Sequence, residues 1–65
     1  MKNDLKRQLE TLIDKDSLQY VLSTIAEICH EKAEHLRENW QDNNTAKIWD
    51  KAGNNVAAVL SKVTV

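Results

Sequence analysis

Thirteen residues in the middle of the chain, Ile28 to Trp40 (ICHEKAEHLRENW), hold a cysteine, two histidines, three glutamates and a tryptophan. Three kinds of chemistry use such residues: a thiolate–imidazole nucleophile, a carboxylate–imidazole metal site, and a titrating acid–base pair. Cys29 and His30 are adjacent. A nucleophilic pair needs its base within about 3 Å of the thiol, whereas neighbouring helical residues diverge by about 100 degrees. Setting Ile25 at zero on a helical wheel puts Leu18, Leu22, Cys29 and Leu36 within about 60 degrees of one another and His30 near 140 degrees. Cys29 then reads as a small buried hydrophobe, and His30 as a side chain on a different, solvated face.

Glu27 and His30 match the Glu-x-x-His spacing of di-metal helical bundles. Those sites draw the motif from two helices and further glutamates from two others, and the third segment of this chain supplies neither His nor Glu. Glu27 and His30 are therefore weak metal candidates that would need several copies to converge. Glu31 and His35, four residues apart, form a candidate pH-sensitive pair, because the carboxylate would favour protonated imidazole. Arg37 and Lys47 flank a turn but lack a glycine-rich phosphate cradle. No catalytic residue and no cofactor are expected.

The elements that must carry these residues are helices. In 65 residues there is one glycine and no proline, and the good helix formers Leu, Ala, Glu, Lys, Gln and Arg are abundant. A first helix is expected over about 4–13, with Leu5, Leu9, Leu12 and Ile13 on one side; at this length it must dock on something to persist. Asp16 is the expected cap of a second helix, with Gln19 returning a capping bond. That helix should run over 17–40 on a stripe of Leu18, Leu22, Ile25, Cys29, Ala33, Leu36 and Trp40. Gln41 to Asn44 reads as a turn, with Asp42 or Asn44 capping a third helix over 45–62. Gly53, on the apolar side of that helix, marks either a close approach of another helix or a bend.

The fold class expected is all-α: a short N-terminal helix, then a long antiparallel hairpin that pairs into a dimeric bundle, all in a single domain over 1–65. Trp40 and Trp49 would cap the core at one end of the hairpin. Tyr20 falls opposite the main stripe, on a flank with Thr24 and Glu27 that the first helix could cover. The apolar sides of the two longer helices exceed what one hairpin contact consumes, so Leu22, Ile25, Ile28, Trp49, Val56 and Val59 are the expected interface residues.

The run LRENWQDNNTAKIW (Leu36–Trp49), with the preceding ICHEKAEH, resembles short uncharacterised all-helical proteins of cyanobacteria and bacteriophages. The similarity spans Leu18 to Ala58. It implies a helical fold and brings no activity, cofactor or catalytic residue.

Nine Lys and Arg against ten Asp and Glu give a formal charge of -1, which provides no general field for phosphate backbones or anionic lipid. One cysteine closes no intrachain disulfide, and there is no long apolar run for export or for spanning a bilayer, so the cytoplasm is expected. The reading is of a small non-enzymatic interaction or regulatory protein, working as a homodimer or on a larger protein partner without membrane contact. One alternative is a DNA-binding regulator using Lys47, Lys51, Asn54, Asn55 and Lys62, a face interrupted by Asp50. The other is a metal protein or enzyme with a site shared across an oligomer.

Overall fold

A single residue, Ser17, separates the first two helices. The structure, a computed structural model, describes residues 2–65, is 90% helical and contains three helices with no strands among those residues. Helix α1 spans Lys2–Asp16 and α2 spans Leu18–His35. Asp14, Lys15 and Asp16 stay helical, as nothing in their backbones forbids it, so the expected junction contracts to one position and Asp16 is not the cap. Ser17 is the N-cap instead: its hydroxyl accepts from Tyr20 N–H at 3.1 Å. The cost is local, since Ser17 sits at φ 123, ψ 157, a region open essentially only to glycine and worth about 1–3 kcal/mol of strain. Gln19 does not return a capping bond to Asp16. Its backbone N–H donates to the Val65 carbonyl at 2.8 Å and its side-chain amide to the Leu60 carbonyl at 3.3 Å.

α2 ends in a π turn, Leu36–Trp40, closed by Gln41 in the left-handed region (φ 50) with its N–H donating to the Leu36 carbonyl. A π turn closes bonds five residues apart and so advances each residue by less than an α-helix does. The 3.6-residue stripe that runs to Leu36 therefore does not reach Trp40, which is 71% exposed rather than closing a core. Asp42 caps α3 (Asn43–Val59) by accepting from Thr45 N–H at 3.1 Å, and a 3-10 turn, Leu60–Lys62, follows.

α3 runs unbroken through Gly53, which marks a close approach and no bend. A methyl group there would sit 3.1 Å from both the Ala26 carbonyl oxygen and Cys29 Cβ, and 2.9 Å from His30 Nε2. Only a residue without a Cβ lets the two backbones come this near. Ala26, Cys29 and Ala33 of α2 are buried against this contact, as are Ala46 and Gly53 of α3. With the Gln19–Leu60 and Gln19–Val65 bonds at the other end, α3 lies back along α2.

α1 rests on α2 alone and makes no contact with α3. The result is a thin slab, 37 × 30 × 15 Å, with a radius of gyration of 13.6 Å, where a closely packed chain of this length would have about 11 Å. Among the described residues those shielded from solvent are Val21, Ala26, Cys29, Ala33, Ala46 and Gly53, so the largest buried side chain among them is a valine. None of the described helices is long and apolar enough to cross a membrane.

Candidate interaction surface and the polar seam beside it

Two surfaces emerge from this arrangement, one apolar and one polar. The apolar surface follows from the leucine spacing of α1. Leu5, Leu9 and Leu12 share one side of the helix, and α2 answers with Ile25 and Ile28. These residues remain substantially exposed: Leu12 is 46% and Ile28 43% accessible. Between the two helices lies an open groove of about 280 Å³ lined by Leu9, Leu12, Tyr20, Val21, Ile25 and Ile28, with Thr24 and Asp16 at its edge. α1 lies beside the flank bearing Tyr20 and Thr24 without covering it: both stay exposed, and so does Glu27, which does not line the groove.

The six expected interface residues divide. Ile25 and Ile28 come together in the groove. Trp49, Val56 and Val59 lie on α3, which takes no part in it, and Leu22 is half-buried outside it. Trp49 is half-buried with the Lys32 ammonium 5.6 Å from its ring centroid, a cation–π contact, and it shares a shallow depression with His35 and Leu36.

The polar surface runs along the α2–α3 seam. His30 does not lie on a free solvated face. Its Nδ1–H donates to Asp50 Oδ1 at 2.9 Å, and its Nε2 is turned toward Gly53. The other Asp50 oxygen accepts from the Arg37 guanidinium. His30 first, and Arg37 second, hold the Asp50 carboxyl below the usual carboxylate range. The difference from the wheel has a simple cause: α3 packs on the small residues Ala26, Cys29 and Ala33, so the contact face spans about 40–100 degrees, to one side of the leucines, and His30 becomes its margin.

This placement bears on each reading of the central stretch. Cys29 is a free thiol, buried, and the His30 ring makes its hydrogen bond to Asp50 and not to sulfur. Glu27 is exposed, and no three His, Cys, Asp or Glu side chains among the described residues gather as a ligand set. Glu31 and His35 are not paired; the Asn39 amide donates to His35 Nδ1 at 2.8 Å instead, because four residues further along is as near as four residues back. No family model matches the chain, and no curated protein and no solved structure matches it. The resemblance of the Leu36–Trp49 run to short helical proteins therefore assigns no function, and the surfaces must speak for themselves.

The Asp50 cluster was missed by sequence reasoning, yet a signal existed. His30, Ala33 and Arg37 recur at intervals of three and four, and the small-residue stripe beside them is the one that permits close packing.

Proposed function

We propose that the chain is a small non-enzymatic interaction protein whose working form is a homodimer, a second copy covering the apolar face of α1 and α2. The observation that carries this reading is surplus surface. The chain exposes 5421 Å², where a folded monomer of its 7.5 kDa would expose about 4,200 Å². The excess is of the order of the roughly 800 Å² per partner that a stable interface removes from water. A core whose largest member is Val21 also leaves little to offset the conformational entropy of ordering the chain. A twofold axis suits a face that is apolar along both of its helices, since like surfaces then meet, and pairing would give a dimeric helical bundle built from two α2–α3 hairpins flanked by their α1 helices. A buried, unpaired Cys29 is compatible with the reducing cytoplasm.

Charging the face tests the reading. Ile25→Asp with Ile28→Asp should convert a species of twice the chain mass into one of single mass by light scattering, while Lys47→Glu with Lys51→Glu leaves it dimeric. A native chain that scatters as a monomer but is captured by a larger protein would transfer the face to that partner.

One observation favours a second reading, duplex DNA binding through α3. Asp50, which interrupts the row of Lys47, Lys51, Asn54 and Asn55, is drawn aside and neutralised by Arg37, and those four residues are exposed. Salt-dependent duplex binding that Lys51→Glu abolishes would support it; binding equally weak in both chains would remove it.

A further inference from the structure

The junction between α1 and α2 is built in a way that bears on how two copies meet. One strained residue separates two helices whose hydrogen-bond ladders nearly join: Ser17 N–H still donates to the Ile13 carbonyl at 2.9 Å, closing α1, while the Ser17 carbonyl accepts from Val21 N–H at 3.1 Å, opening α2. The segment Ile13–Tyr20 (IDKDSLQY) contains neither proline nor glycine, so its sequence permits an uninterrupted helix. Straightening would release the unfavourable φ of Ser17 and let Leu18, Gln19 and Tyr20 N–H donate to the carbonyls four residues earlier. It would give up the Tyr20–Ser17 cap and the bonds from Gln19 to Val65 and Leu60. It would cost the chain no α1–α3 packing, because there is none. What it would expose is the groove floor of Val21, Ile25 and Ile28, and a second copy carries the leucines that fit it.

We propose that α1 is an exchangeable arm: in the homodimer Ser17 relaxes into helix, α1 and α2 become one rod of about 51 Å, and the Leu9 and Leu12 of each copy fill the α2 groove of the other. The proposal rests on the homodimer reading above. Exchange of an element between identical copies is a low-cost route to a dimer, and a short strained hinge invites it. The occupant is a second copy because the groove already displays its own complement, and because the exposed area in excess of a packed monomer matches what a stable dimer buries.

Two measurements on the full chain test this. The first places cysteines on both walls of the groove, Leu12→Cys and Thr24→Cys, with Cys29→Ala to leave no other thiol, and treats the protein with a short bismaleimide while light scattering records its mass. Covalent dimers from a dimeric sample are expected. Crosslinks confined within single chains of a dimeric sample overturn the exchange while leaving the homodimer intact. A native chain that stays monomeric at every concentration overturns both. The second measurement compares hinge variants that keep both helices: Ser17→Gly, which tolerates the bend, should weaken dimerisation about tenfold, and Ser17→Ala, which removes the cap and favours helix, should strengthen it by a similar factor. Equal dissociation constants for the two variants would overturn the hinge role of Ser17.

Discussion

The α2–α3 seam and the α1–α2 groove are made from opposite kinds of residue. Along the seam, alanine, cysteine and glycine bring two backbones close enough that a single added methyl at Gly53 would press on a carbonyl oxygen, and Ala33 and Ala46 are fully shielded. In the groove, leucine and isoleucine hold two helices apart and stay one-third to one-half exposed, Ile25 at 36% and Leu12 at 46%. The larger side chains do the poorer job of excluding water. The seam closes because its two faces are matched in size and both belong to this chain. The groove stays open because α1 reaches one wall only, with α3 out of range. A hydrophobic residue stabilises by the area it hides, and in this molecule the residues with most area to hide find the least to hide it against.

The largest effect is expected at the seam. Gly53→Leu places a branched side chain where the Ala26 carbonyl and Cys29 leave no space, and overpacking of this kind costs about 1–3 kcal/mol or more, a large share of the stability available to a small chain. Loss of the cooperative thermal transition in circular dichroism is the expected outcome; a transition at the native temperature would mean the seam is looser than its distances indicate. Gly53→Ala is a gentler version, in which a gain of about 1 kcal/mol in helix propensity opposes the displaced His30 ring, and the midpoint should fall only modestly.

An intermediate effect is expected in the groove, and it should depend on concentration. Leu12→Ala removes a half-exposed side chain, so in dilute solution the loss is about 1 kcal/mol. If the face is shared between copies, the deficit grows as protein concentration rises, since association stabilises the native chain and not the mutant. Parallel concentration dependence of the two midpoints would place Leu12 outside any interface.

The smallest effect concerns the polar margin of the seam. The Asp50 carboxyl titrates below its unfolded value of about 3.9 because His30 and then Arg37 favour its charged form. Its contribution to stability is therefore complete above that unfolded value and disappears as the pH falls through the lowered folded one. Asp50→Asn should flatten this part of the acid-unfolding profile. Solvent reaches the cluster, so the difference is small. An unchanged acid limb would indicate that the bonds to His30 and Arg37 carry no net stability.

Much of the architecture was legible because helices announce themselves by period and by the absence of breakers. The leucines of α1 and the Asp42 cap follow from rules that act over one or two turns. Three features were not fully legible, each for its own reason. The π turn at Leu36–Trp40 has no compositional mark, and it moves Trp40 off a stripe that the preceding five turns define correctly. The contact face of α2 was legible in part: Cys29 and Ala33 lie on the expected stripe and are buried, whereas Ala26 lies off it and packs beside Gly53, where close approach selects for small size; His30 was accordingly assigned to solvent. The break between α1 and α2 was expected over 14–16 and is confined to Ser17, which lacks the glycine that its backbone would favour. Of the candidate surface, Ile25 and Ile28 were found from periodicity, whereas their partnership with Leu9 and Leu12 depends on which flank α1 covers, a tertiary choice that no local pattern records.

Sedimentation equilibrium of the native chain over a wide concentration range tests the central claim most directly. A reversible shift from 7.5 kDa toward twice that mass, lost in the Ile25→Asp, Ile28→Asp chain, is the expected result. A stable, cooperatively folded species that keeps the mass of one chain at every concentration would contradict it, because the exposed leucines and isoleucines would then need no cover.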